Sequence, residues 1–194
     1  MKNNILLVGG SGFIGLNIIE KHLKNKHTEK IYVFGNLSSL KKINDSRRKL
    51  VLLGFYNEKT NLKFLKNVNI VYYLIGGLHT TNYYQFNSIK KNLLCFKNEI
   101  QNNNLNLKFV YFSSSGGIYN DSKEFKTEHS STINNNNYSK IKLEIESFLH
   151  EITTNIFSPL IIRPSNIYGK YQESQVNING IITTLIYNSL IGKH

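Results

Sequence analysis

Four apolar residues, Ile5-Leu6-Leu7-Val8, run straight into Gly9-Gly10-Ser11-Gly12-Phe13-Ile14-Gly15, and a helical pattern begins inside that run. Phe13, Ile14, Ile18, Ile19 and Leu23 recur along one side, with Glu20, Lys21 and Lys24 on the other. A strand that turns into a helix within so few residues leaves the chain little choice. Gly9 makes the tight turn, Gly12 lets the backbone approach a pyrophosphate, and Gly15 lets the helix pack close to the sheet. The free N–H groups at the helix start, with the helix dipole behind them, then form a seat for an anion. Four apolar residues are too few for the core of a secretory signal, so the N-terminus reads as a buried strand.

The alternation continues along the chain. Further strands are predicted at Ile31-Tyr32-Val33-Phe34, at Leu50-Val51-Leu52-Leu53-Gly54, from Asn69 to Gly77, from Leu107 to Phe112, and at Pro159-Leu160-Ile161-Ile162. Helices are predicted from about Tyr83 to Gln101 and from Tyr138 onward, with a shorter helical piece around Leu62 and Leu65. In the helix from Tyr138, Ile141, Ile145, Phe148, Leu149 and Ile152 form the packing side, while Glu144 and Glu146 are expected on the solvated face. The asparagine-rich stretches 102–104 and 134–137 read as loops. Strand–helix alternation of this kind predicts an α/β fold with a doubly wound, Rossmann-like parallel sheet. That dinucleotide-binding domain is expected over residues 1–169, with 170–194 the start of a substrate-binding region.

The formal net charge of +12 raises the question of nucleic acid. The lysines are scattered in short pairs such as Lys41-Lys42 and Lys90-Lys91, so no nucleic-acid partner is expected; a basic surface equally attracts nucleotide phosphates. No run approaches eighteen apolar residues, and no membrane partner is expected. The single cysteine, Cys95, excludes an internal disulfide and a cysteine-based zinc site. His79, His129 and His150 lack metal-ligand spacing, so no metal is expected. A cytoplasmic location fits this usage.

The chemistry is expected at Tyr138-Ser139-Lys140-Ile141-Lys142, with Ser113-Ser114-Ser115 upstream. On a helix opening at Tyr138, four residues bring Lys142 onto the same face one turn along. A phenol with an ordinary pKa near 10 is a poor base at neutral pH. An ammonium nearby favours the phenolate, and a neighbouring hydroxyl can hold the substrate oxygen beside it. Such a group moves a proton on and off a sugar hydroxyl while a hydride leaves the same carbon.

Four segments coincide in one order: the glycine trio, Ser-Ser-Ser-Gly-Gly-Ile-Tyr from Ser113, Tyr-x-x-x-Lys from Tyr138, and Arg163-Pro164-Ser165-Asn166-Ile167-Tyr168-Gly169. Together they resemble the extended short-chain dehydrogenase/reductases of the NAD-dependent epimerase/dehydratase family, the nucleotide-sugar 4-epimerases in particular. The resemblance runs nearly end to end. It implies that Tyr138 is the catalytic base and that Lys142 tunes it and binds the nicotinamide ribose. Ser115, with Ser114 as the alternative, orients the sugar hydroxyl. The cofactor loop is matched by Gly9, Gly12 and Gly15, with Phe13, Ile14 and Asn36 counted among the cofactor contacts. Leu74, Ile75, Gly76 and Gly77 stand where the family writes its His-Leu-Ala-Ala-like segment under the cofactor. Asn92 stands at a supporting helix asparagine, Ser113 is counted among the cofactor contacts, and Pro164 and Ser165 lie by the nicotinamide. Asn166 matches an asparagine near the sugar-nucleotide diphosphate.

The implied ligands are NAD and a nucleotide sugar, and family members often dimerise through helices that here include parts of 83–101 and 138–152. Gly35 replaces the acid for the ribose hydroxyls, and Phe55 replaces one near the adenine. Those departures leave open NADP, with Lys41 or Lys42 near a 2′-phosphate, NAD held by other contacts, or a weakened site. Gly116-Gly117 stand where the related 4,6-dehydratases carry an Asp-Glu pair, which favours epimerisation over dehydration. A reductase or dehydrogenase on a related carbonyl, and a nucleotide-binding protein without catalysis, are the alternative readings. The family continues well past strand six with a smaller domain that closes on the substrate, so the chain is expected to be C-terminally truncated.

Overall fold

The computed structural model describes residues 2–41, 43, 45, 49–76, 83–119, 124–172 and 181–192. Six strands, β1 (Asn3–Val8), β2 (Thr28–Phe34), β3 (Leu50–Gly54), β4 (Ile70–Tyr73), β5 (Lys108–Phe112) and β6 (Leu160–Ile162), form one sheet. Its order is β3-β2-β1-β4-β5-β6, and every pairing is parallel. The helices are α1 (Phe13–Lys24), α2 (Leu37–Leu40), α3 (Tyr83–Asn102), α4 (Asn137–Glu151) and α5 (Ile181–Leu190), with a 3-10 turn at Lys63–Asn67. The chain winds outward from β1 to β3, then crosses back to β4 on the other side of β1. Strand order reverses there, and the crevice at the carboxyl ends of β1 and β4 is where ligands bind in such sheets.

The β1 side chains show why the sheet must be covered twice. Ile5 and Leu7 belong to one buried cluster and Leu6 and Val8 to another, and all four are 0% exposed. Successive side chains of a strand point to opposite faces, so each face needs its own helical layer. On one face Ile5, Leu7, Ile31 and Val33 meet Leu16, Ile19 and Leu23 of α1. On the other, Leu6, Val8 and Val71 meet Leu93, Phe96 and Ile100 of α3 and Ile145 and Leu149 of α4. Tyr73, Phe96, Phe109 and Phe157 form an aromatic chain through that layer, at centroid distances of 5.3–6.1 Å. Within it, Tyr73 and Phe96 meet edge-on.

Several boundaries differ from the sequence reading, most by one residue. The second strand starts at Thr28, whose hydroxyl lies 3.0 Å from His22 Nδ1. The fourth strand ends at Tyr73, and Gly76 beyond it takes a φ of +119° that an extended strand cannot hold. Asn137, read as loop, opens α4, and Asn136 caps it: its Oδ1 accepts the Ser139 N–H at 2.8 Å while Ser139 Oγ accepts the Asn136 N–H at 3.2 Å. After β6, Lys170 pairs with Glu20 at 3.1 Å and its carbonyl accepts from Asn17 Nδ2 at 2.7 Å, tying this segment to α1. The apolar side chains of Leu185, Ile186 and Leu190 on α5 are exposed. Among the described residues no helix is long and apolar enough to cross a membrane.

Candidate active site

The turn after β1 is built from close approaches. Gly9 has a φ of +85°, and both the Gly9 and Gly10 N–H groups donate to the Phe34 carbonyl, at 2.9 and 3.0 Å. A Cβ on Gly15 would lie 2.6 Å from the backbone of Gly10, so helix and turn touch main chain to main chain. Gly10, given no task from the sequence, is equally constrained: its Cβ would lie 2.6 Å from Val33 Cγ1. Gly12 is the opposite case. A Cβ there would meet nothing nearer than the Gly9 carbonyl at 3.7 Å, and α1 starts at Gly12 with no side-chain cap. The first-turn N–H groups, those of Phe13 and Ile14 among them, have no partner within the helix and stand at its positive end, which fits a diphosphate.

Beside this turn stands the end of β4. The Leu74 N–H donates to the Val8 carbonyl at 2.8 Å, and a Cβ on Gly9 would lie 3.3 Å from Ile75. The next residue, Gly76, leads to Lys142: a Cβ there would sit 3.3 Å from its Nζ. Lys142 itself is 4% exposed. It reaches from α4 to the carboxyl ends of β4 and β5, where Nζ donates to the Phe112 carbonyl at 3.0 Å. The ammonium lies 5.2 Å from the Tyr111 ring centre and 5.8 Å from that of Tyr138. Burial pulls its pKa down to about 8, with the nearby Glu146 carboxylate opposing part of that shift. Two further polar atoms, Tyr111 Oη and Ser113 Oγ, are buried without a hydrogen-bond partner among the described residues.

Tyr138 is half-buried in the first turn of α4, and Gly117 lies against its ring, 3.4 Å from Cδ1 to the position of a Cβ. Gly116 faces Asn166 in the same way, at 3.5 Å from Oδ1. The glycine pair thus brings the tyrosine, the asparagine and the serine run into one place. Ser115 fixes that run, since both its N–H and its Oγ donate to the Pro164 carbonyl, at 2.9 and 3.0 Å. Ser113 N–H donates to the Ile162 carbonyl at 2.8 Å, and Ser114 is half-buried between them. A cleft of about 1040 Å³ opens beside β6, lined among others by Ser115, Tyr119, Glu146 and Arg163.

Glu146 corrects the sequence reading. It is not solvated but 3% exposed, and Arg163 grips it with Nε at 3.1 Å from both carboxylate oxygens and a terminal nitrogen at 2.6 Å. The other terminal nitrogen of Arg163 donates to Tyr119 Oη at 2.7 Å and to the Glu128 carbonyl at 3.2 Å. Arg163 therefore ties the end of β6 to α4 and to the segment after the serine run, one residue before the carbonyl that holds Ser115. Its guanidinium pKa is raised, first by the Glu146 hydrogen bonds. Asn92 is buried beside the Tyr73 phenol, and its carbonyl accepts from Tyr56 at 3.4 Å. Asn36 ends the turn after β2 and caps α2. Lys42, Gly77 and His79 lie outside the described residues.

Residues 5–193 match the NAD dependent epimerase/dehydratase family. The chain belongs to that family. No curated protein matches it. Solved structures of the same fold include the UDP-glucose 4-epimerase of Thermotoga maritima, 22% identical, with a TM-score of 0.77 over 98% of this chain. The UDP-N-acetylglucosamine 4-epimerase of Methanobrevibacter ruminantium M1 is 23% identical, with a TM-score of 0.79 over 100% of this chain. The dTDP-glucose 4,6-dehydratase of Bacillus anthracis, in complex with NAD, is 23% identical with a TM-score of 0.76 over 98%. The chain spans 64%, 64% and 62% of those three proteins respectively. Membership accounts for the six-stranded doubly wound sheet and for the glycine turn at its centre.

Proposed function

We propose that the chain is the dinucleotide-binding part of a nucleotide-sugar epimerase acting on a UDP-sugar-like substrate. The observation that carries this reading is the placement of Lys142: buried, bonded to the end of β5, touching Gly76 at the end of β4, and one helical turn from Tyr138. Gly76 leads through Ile75 to the Gly9 turn, so the anion seat and the tyrosine share one crevice.

The residues fit NAD. Its diphosphate would lie on the first turn of α1 at Gly12, Phe13 and Ile14, and its ribose would meet Lys142. A nicotinamide bound there would accept a hydride from the sugar and return it. Tyr138, with the Lys142 ammonium 5.8 Å from its ring centre, takes the proton of the sugar 4-hydroxyl as that carbon becomes a ketone. After the transient 4-keto sugar has turned over, Tyr138 gives the proton back, and no net oxidation remains. Ser115 and Asn166 hold the sugar nucleotide in register. With Gly117 against the tyrosine ring and Gly116 beside Asn166, neither of these two positions carries a carboxylate to serve elimination as acid or base. This favours epimerisation over dehydration.

Native mass spectrometry of the purified chain tests the first half, and a co-purifying dinucleotide is the expected result. Incubation with UDP-sugars tests the second: product forms with no net change in reduced nicotinamide fluorescence. Stoichiometric consumption of the reduced form would point to a reductase instead. Binding with no turnover of any sugar nucleotide would leave a nucleotide-binding protein without catalysis.

A further inference from the structure

Past β6 the chain runs from the α4 side of the sheet to α1 on the other side, anchored at both ends of that run. At the first anchor the Pro164 carbonyl accepts both the N–H and the Oγ of Ser115, and Arg163 grips Glu146. At the second, the Lys170 carbonyl accepts from Asn17 Nδ2 at 2.7 Å. The Lys170 ammonium there reaches the two oxygens of the Glu20 carboxylate at 3.2 and 3.1 Å. Residues 165–169 between the anchors are exposed. The anchors flank the proposed crevice. Ser115 belongs to the serine run beside Tyr138, and Asn17 also donates to the Phe13 carbonyl at 2.9 Å, in the first turn of α1 where the diphosphate is placed.

The second anchor holds a backbone that is not relaxed. Tyr171 takes a φ of +70°, a left-handed conformation unfavourable for a residue with a side chain. Its ring packs on the cluster under α1, with the Lys170 ammonium 4.6 Å from the ring centre. Gly169, just before the anchor, has a φ of +149° and open space where a Cβ would stand, so the chain can turn there without a clash. The tie itself is weak: the Lys170 side chain is 62% exposed, and Glu20 is shared with Lys24 at 3.1 Å. Strain kept in place by an exposed ion pair marks an element poised between two positions.

We infer that residues 165–169 form a strap across the mouth of the crevice, and that Lys170, latched to α1 by Glu20 and Asn17, sets how fast a dinucleotide enters and leaves. The inference rests on the dinucleotide reading above. A latch acts on the barrier and not on the bound contacts, so opening it speeds entry and exit alike and leaves the affinity where it was.

Stopped-flow binding of NADH and of NADPH to the full chain, followed by nicotinamide fluorescence, tests this in the parent, Lys170→Met, Glu20→Ala and the double variant. Each single variant is expected to raise both the association and the dissociation rate about threefold, the size of one exposed ion pair, with the dissociation constant within about twofold of the parent. The double variant should match the singles, because either change alone opens the latch. Lys170→Arg keeps the pair and should keep the parent's rates. Lost electrostatic steering would instead slow association in Lys170→Met and hasten it in Glu20→Ala, and a lost ligand contact would raise dissociation alone. Either pattern overturns the inference, as do rates within about 1.5-fold of the parent in all three variants, and each leaves the dinucleotide reading intact. If neither dinucleotide binds the parent, both fall together.

Discussion

Lys142 Nζ sits 3.0 Å from the carbonyl oxygen of Phe112, so the last residue of β5 anchors an ammonium one helical turn from Tyr138. A side chain on α4 is thereby fixed by the sheet and not by its own helix. Its burial has a thermodynamic sign. The native chain must hold a charge at 4% exposure whenever the lysine is protonated, which disfavours folding.

Lys142→Met should therefore make the chain more stable at pH 7, by about 2 kcal/mol once the lost bond to the Phe112 carbonyl is set against the relief. The penalty in the parent is fully present below the folded pKa of about 8 and fades as pH rises from there toward the ordinary value of 10.5. The gap between variant and parent should close over that window. Denaturant melts at several pH values check this, and a gap that widens with pH would contradict it.

Tyr138→Phe should keep the dinucleotide and lose turnover by about a hundredfold or more, since only the proton-transferring oxygen is removed. Binding titrations and sugar-nucleotide turnover measured side by side decide it. A variant as active as the parent would exclude Tyr138 as the base.

Two glycines of the turn should separate folding from binding. Gly12→Ala adds a methyl in open space, costs about 1 kcal/mol as a poorer helix cap, and should weaken dinucleotide binding more than about tenfold. Gly15→Ala drives a Cβ into the Gly10 backbone and should cost about 3 kcal/mol or prevent folding. Thermal melts and binding titrations of the two variants read the contrast.

Glu146→Gln should destabilise the chain by about 3 kcal/mol, because Arg163 is left without the charge that it grips. Replacing both partners by apolar residues, Glu146→Leu with Arg163→Met, should cost less than either single change. A double variant as unstable as the sum of the singles would argue that the two residues act separately.

Much of this was legible in the sequence because it is local. The glycine spacing gives the turn, the unbroken apolar run of β1 gives its two buried faces, and the four-residue step from Tyr138 to Lys142 gives a shared helix face. What escaped was set by distant partners. Glu146 looked solvated because helical periodicity cannot see Arg163 arriving from the end of β6. Asn136 looked like part of an asparagine-rich loop because its capping role needs the Ser139 side chain in place. The absence of an acid at Gly35 was visible, yet the Ser11 side chain that occupies its space was not.

The hydroxyl of Ser115 already gives its hydrogen to Pro164. What it turns toward the crevice is a pair of lone pairs. A ligand oxygen that meets Ser115 in this rotamer must bring its own hydrogen, so the serine welcomes an alcohol and has nothing to offer a ketone. On the proposed epimerase reading, the same side chain would hold a sugar before oxidation and loosen its grip once the carbonyl has formed, freeing the ring to swing over.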